Sequence, residues 1–221
     1  LIRGIAAYSP YLWDLAQAEP ERLLRVLHAE PEAHLARIMS ETMDAVRAAQ
    51  DESEVMRLLR RMKAEAALLI ALADIGGIWP VMRVTRALTE VADLAVASAV
   101  RFLLAEAARR NKLHPLDAHR PEEGSGYIVL AMGKMGAFEL NYSSDIDLIV
   151  FFDPQAPALD PDADAASLAI RMTRSLVKIL QERTADGYVF RVDLRLRPDP
   201  ASPHAAVSIP AALEYYERRG Q

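Results

Sequence analysis

Tyr127-Ile128-Val129-Leu130-Ala131-Met132 runs into Gly133-Lys134-Met135-Gly136. Next come Glu139-Leu140-Asn141-Tyr142-Ser143-Ser144 and Asp145-Ile146-Asp147, and the chain continues apolar to Phe152. This stretch decides the fold. Two short apolar runs of strand length, the second rich in β-branched and aromatic residues, flank a glycine turn. A glycine turn after a strand exposes backbone N–H groups and lets a polyphosphate approach the main chain. Asp145 and Asp147 alternate at the start of the second strand and share a face. Their Cα atoms are then roughly 6.5–7 Å apart. Such a pair can serve one hard cation, or two cations roughly 3.5–4 Å apart. Each feature alone also fits a plain hairpin turn or a solvated strand end. Turn, hydroxyls and paired carboxylates together favour a phosphate and metal site. A Walker loop is excluded, because its glycine spacing and its Lys-Ser/Thr are missing.

Downstream, Asp153 to Asp164 reads as a surface loop rich in Pro and Asp. Ala165 to Arg183 reads as a helix burying Leu168, Met172, Leu176, Ile179 and Leu180. Val189 to Leu196 alternates, which predicts a strand with Phe190, Val192, Leu194 and Leu196 on one face. Arg191, Asp193, Arg195 and Arg197 take the other. A carboxylate among guanidinium groups stays ionised, so Asp193 suits a metal or a proton while the arginines suit phosphate. An outer strand face with internal ion pairs fits the same pattern. A last helix is expected from near Pro210.

Upstream the chain reads helical. Pro20 opens a helix with Leu23, Leu24 and Leu27 behind it. Leu35, Ile38, Met39, Met43 and Val46 have helical spacing. Asp51 with Glu54 resembles a capping box. Val55, Leu58, Leu59, Met62, Ala66 and Leu69 follow, and Gly76-Gly77 breaks the pattern. Another helix is expected from near Val84 to Arg109, and residues 114–126 form a linker.

Composition bounds the function. The 221 residues carry 26 basic and 31 acidic side chains, a net charge of −5, and 52% are apolar, as in an ordinary globular chain. Residues 1–120 carry no net charge, and 121–221 carry the whole −5. An acidic half without a basic stripe argues against binding a nucleic-acid backbone. The longest apolar run, Ala66 to Ala73, is too short for a membrane span of ~18 residues. Without Cys there is no disulfide or thiolate metal site, which fits a cytoplasmic protein. The chain begins Leu1-Ile2-Arg3 and stops at Gly220-Gln221 after a helical pattern, so we expect a piece of a longer protein.

Gly133-Lys134, ten residues, Asp145-Ile146-Asp147 and a third Asp on a later strand resemble the nucleotidyltransferase superfamily typified by DNA polymerase beta. Lys134 departs from the Gly-Ser or Gly-Gly of that general pattern. The longer strings from Gly133 to Leu148 and from Phe190 to Pro198 are more specific. They resemble the bifunctional glutamine synthetase adenylyltransferase/adenylyl-removing family, which has Lys at that position. The likeness spans nearly the whole chain and looks closer to the adenylyl-removing half. It implies an α+β fold: a helical region (1–115), a polymerase-beta-like nucleotidyltransferase core (116–205) and the start of a C-terminal helical region (206–221). It implies Mg²⁺, or Mn²⁺, on Asp145, Asp147 and Asp193, the catalytic triad. Gly133, Lys134, Ser143, Ser144, Arg195 and Arg197 would bind nucleotide and phosphate. The activity implied is phosphorolysis of adenylyl-tyrosine on glutamine synthetase, orthophosphate in and ADP out, with a PII-type signalling protein as a partner of the full-length enzyme. ATP-dependent adenylylation and a non-catalytic regulatory module are the alternatives.

Overall fold

The computed structural model describes residues 1–196, 198 and 205–219. Arg197, one of the expected phosphate contacts, lies outside them. Six helices come first: α1 (Ile2–Tyr8), α2 (Pro10–Ala18), α3 (Pro20–His28), α4 (Pro31–Ala48), α5 (Glu52–Ile75) and α6 (Val81–Arg109). Pro10, Pro20 and Pro31 occupy first-turn positions, where a missing N–H costs no helical bond. The Asp51 carboxylate accepts from the Glu54 N–H at 2.9 Å. Glu54 reaches back to the N–H of Gln50 rather than of Asp51, so the capping box closes one residue early. Ala66 through Ala73 is buried on every side, which marks α5 as the central helix rather than an amphipathic surface one.

The sheet comprises β1 (Tyr127–Met132), β2 (Ile146–Phe152), β3 (Val192–Asp193) and β4 (Val207–Ser208), with α7 (Gly133–Gly136), α8 (Ala165–Gln181) and α9 (Ile209–Arg219) around it. β1 pairs antiparallel with β2, Tyr127 opposite Phe152 and Met132 opposite Asp147. β3 and β4 both run parallel to β2, at its two ends. α8 is the crossover between β2 and β3. The fold is therefore α+β, with the three expected strand segments in one sheet. Leu168, Met172, Leu176, Ile179 and Leu180 of α8 are buried as the spacing predicts. They join the sheet to α5 and α6 in one continuous apolar cluster. Among the described residues no helix is long and apolar enough to cross a membrane.

Three expectations need correction. The strand over Val189–Leu196 shrinks to Val192–Asp193. The N–H groups of Val189 and Phe190 both donate to the Leu180 carbonyl at 2.9 and 3.0 Å, so this segment caps the end of α8 and cannot pair with β2. Beyond Asp193 the chain turns, and Leu196 is half exposed instead of sharing a buried face with Phe190. The turn expected at Gly133 is one turn of helix, α7. The long helix starts at Val81, directly after Pro80, not near Val84.

Candidate active site

The parallel register of β2 and β3 sets Asp147 directly beside Asp193. Asp145 lies two residues before Asp147, immediately ahead of β2. Ile146 and Leu148, both fully buried, fix the strand between and beyond the two carboxylates. Above them sits α7. Gly133 has φ +54°, and a Cβ placed there would lie 2.5 Å from Oδ2 of Asp147. Only glycine allows both that backbone and that approach. Gly136 likewise lets α7 rest on β1, since a Cβ there would meet the Ala131 carbonyl at 2.6 Å. Met135, 2% exposed, pins α7 from beneath and leaves Lys134 at the surface.

The loop after α7 is tied to the helical bundle. Leu140 N–H donates to Oγ1 of Thr89 at 3.4 Å, and the Tyr142 hydroxyl donates to Asp74 at 2.8 Å. Burial and that carboxylate raise the Tyr142 pKa, so the phenol keeps its proton. Asn141 organises the two serines: its Oδ1 accepts from the Ser143 N–H and from the Ser144 hydroxyl, each at 3.0 Å. The Ser144 hydroxyl expected to meet phosphate is thus engaged in this Asx turn. The sequence reading missed Asn141, although Asn two residues before a Ser is an Asx-turn signal.

The electrostatics divide the three carboxylates. Asp147 is raised above the ordinary aspartate range, by burial first and then by the charges of Asp193 and Asp145. Asp193 is lowered, because the Arg195 side chain and backbone N–H both donate to it. Arg195 Nε stands 2.8 Å from Oδ2, and the Arg195 backbone N–H 2.8 Å from Oδ1. Arg191 Nε donates to Asp145, and its NH2 donates to the Ser143 carbonyl at 2.9 Å. Asp145 and Asp193 therefore each face a guanidinium directly, and Asp147 has only the charges of Arg195 and Lys134 at a distance to offset its own. Among the described residues no three His, Asp or Glu side chains are grouped to ligate one metal ion. The donor chemistry nonetheless fits a hard divalent cation: carboxylate oxygens only, with one carboxylate destabilised by its like-charged neighbours. Asp145 and Asp193 would have to exchange a guanidinium for the ion.

The structure thus brings Gly133, Asp145, Asp147, Asp193 and Arg195 together. Lys134 is near enough to lower the Asp147 pKa. A cleft of about 800 Å³ opens on the far side of Ser143, Ser144 and Arg191, and none of the three aspartates lines it.

The family model described as glutamate–ammonia ligase adenylyltransferase matches residues 1–221. The chain is 62% identical, over its whole length, to the bifunctional glutamine synthetase adenylyltransferase/adenylyl-removing enzyme of Bradyrhizobium diazoefficiens. Identity is 58% to the protein of that name in Rhodopseudomonas palustris, and 58% over 98% of this chain to that of Xanthobacter autotrophicus. The chain spans only 22% of the length of each of these relatives. A family match over the whole chain, with relatives this similar, means that the chain belongs to the glutamate–ammonia ligase adenylyltransferase family.

Proposed function

We propose that this chain is a nucleotidyltransferase-type catalytic part of an adenylyl-removing enzyme acting on glutamine synthetase. The observation that carries the reading is the register of Asp147 against Asp193, with Asp145 two residues away and Gly133 against the Asp147 carboxylate. The division into helical region (1–115), catalytic core (116–205) and C-terminal helical start (206–221) belongs to the same reading.

Asp145, Asp147 and Asp193 would hold Mg²⁺ or Mn²⁺. The ion would supply charge neutralisation for the phosphoryl oxygens. In the reaction, an orthophosphate oxygen forms a bond to the adenylyl phosphorus. The bond from phosphorus to the tyrosyl oxygen breaks, ADP leaves, and the proton of hydrogen phosphate ends on the tyrosine. The chain's own groups do the positioning. Exposed backbone at Gly133 and the Lys134 ammonium receive phosphate oxygens from one side. Arg195 supplies positive charge from the other, and Arg191 becomes available when Asp145 turns to the ion; Arg197, outside the described residues, belongs to the same reading by its sequence position alone. Asp193, held ionised by Arg195 and therefore a weak base, suits the ion better than a proton; Asp147, raised by burial and its like-charged neighbours, is the stronger base of the pair. The likeness of the Glu139–Ser144 and Phe190–Asp193 strings to the removing half favours phosphorolysis over adenylylation.

The test incubates the chain with adenylylated glutamine synthetase, Mg²⁺ and orthophosphate. ADP should form only when orthophosphate is present, and unmodified glutamine synthetase should take no label from radiolabelled ATP. Label transfer without phosphorolysis would reverse the direction. Neither activity would favour a regulatory module, with a PII-type protein as its partner in the longer enzyme.

A further inference from the structure

The cleft beside the acidic site has features the adenylyl-removing chemistry does not use. It lies between α2 and α5 on one wall and the 142–144 and 183–191 segments on the other. At about 800 Å³ it falls in the range of small-molecule sites. Its charge is lopsided: Arg60, Lys63, Arg183 and Arg191 line it, against Asp74 and Asp186.

Most of these groups already have partners. Arg60 is spent on backbone carbonyls, including Gly187 at 2.9 Å and Ile179 at 3.0 Å. Arg191 is turned to Asp145, and Asp74 accepts from Tyr142. Arg183 lies 5.5 Å from the centre of the Tyr188 ring. Lys63 differs. It projects from α5 into the cleft and has no acidic partner among the described residues. Its one strong neighbour is the Phe190 ring, with Nζ 4.2 Å from the centroid. Burial alone lowers its pKa to about 8. An exposed lysine would extend its ammonium into water; this one holds it against a ring. Beside it the wall is aromatic and aliphatic: Tyr11, Leu12, Ala64, Ala67 and Tyr188.

We propose that this cleft binds a small aromatic anion, its charged group on Lys63 and its ring against Tyr188 and Tyr11. A desolvated ammonium without a counter-ion gains most from an anion that brings one. Planar walls favour a planar body. The inference does not depend on a metal at the acidic site, because none of its carboxylates lines the cleft; Ser143, Ser144 and Arg191 form the wall between the two.

Calorimetric titration of the chain with phenyl phosphate, benzoate and inorganic phosphate near pH 7 tests it. At least one aromatic anion should bind saturably, with a dissociation constant below about 1 mM, and the tighter of the two names the head group. Inorganic phosphate, lacking the ring, should bind at least about tenfold more weakly. Lys63→Met should weaken the aromatic anion by about tenfold or more, the loss expected for one charge-assisted contact. Tyr188→Leu, at the cleft wall, should weaken it severalfold. Asp147→Asn, which leaves Arg191 paired with Asp145, should leave it unchanged. Absence of saturable binding would overturn the proposal. So would unchanged affinity in folded Lys63→Met or Tyr188→Leu, or loss of binding in the aspartate variant, which would move the anion to the acidic site.

Discussion

Replacing Gly133 by Ala should cost far more activity than stability. Two penalties arise at this position. The backbone stands at φ +54°, where a side chain costs about 1–2 kcal/mol. The new Cβ would also fall 2.5 Å from the Asp147 Oδ2, whereas ordinary contact begins at 3.4 Å. The carboxylate, the free end of a side chain, must retreat by about 0.9 Å, the difference of those two distances. That movement is cheap for the fold. In a site that works by positioning, a displacement near 1 Å costs roughly a hundredfold in rate. Gly77→Ala is the control: φ is +67°, yet a Cβ there meets nothing within 4 Å. Urea unfolding should show both variants destabilised by about 1–2 kcal/mol. Phosphate-dependent ADP release should fall about a hundredfold for Gly133→Ala and stay near wild type for Gly77→Ala. Equal activity in the two would refute the claim that Gly133 exists to admit the Asp147 carboxylate.

Asp145→Asn with Asp147→Asn should abolish ADP release without loss of stability, since Asp147 is held ionised at a cost; Mg²⁺ or Mn²⁺ at a hundredfold excess over its dissociation constant should raise wild-type stability by about 2.7 kcal/mol and leave the variant unmoved in thermal melts. Lys63→Met should be more stable than wild type at pH 7. The lowered lysine pKa, 10.5 to about 8, amounts to about 3 kcal/mol, which attraction to the Phe190 ring and partial exposure reduce to about 1–2 kcal/mol. Because the unfolded chain binds the extra proton between pH 8 and 10.5, wild-type stability should rise with pH across that window and the advantage of the variant should shrink; a variant less stable at pH 7 would contradict the desolvated charge. Arg60→Met should cost about 3 kcal/mol or more in urea unfolding, because it takes the guanidinium donors from the carbonyls of Ile179 and Glu182 at the end of α8, whereas Gly187 keeps the Thr184 N–H; a cost below about 1 kcal/mol would mean that water replaces the guanidinium.

Local pattern carried far where local forces decide. The strand runs Tyr127–Met132 and Ile146–Phe152 were legible because they are short, apolar and bounded by glycine and acidic residues. The buried face of α8 was legible because Leu168, Met172, Leu176, Ile179 and Leu180 repeat with helical period. Val189–Leu196 misled because its alternation is real, but a competing partner wins. The Leu180 carbonyl at the end of α8 takes the N–H groups of Val189 and Phe190, and that choice depends on tertiary placement. The acidic triad was readable as spacing, and the Asp147–Asp193 register supplies the third member. The pairing of Arg191 with Asp145 and of Arg195 with Asp193 was not readable, since any of three arginines on one face could have served either carboxylate. Lys63 and the cleft had no sequence signal. A lysine within a leucine- and alanine-rich helix reads as a surface residue until the opposite wall is known.

Arg60 has a consequence for how the protein can be divided. Its side chain, 1% exposed, leaves the middle of α5 and fills the carbonyl sockets at the end of α8 and at Gly187. The segment it holds leads within a few residues to Phe190, Arg191 and Asp193. The helical region is thus a structural cofactor of the sheet, present in every copy because it is covalently attached. Residues 116–205 expressed alone would lose the only guanidinium those carbonyls have among the described residues, together with the apolar surfaces of α5 and α6 on which α8 rests. Genetic shuffling that trades one sheet for another would have to carry α5 along. A boundary visible in composition is, for this chain, an unsuitable place to cut.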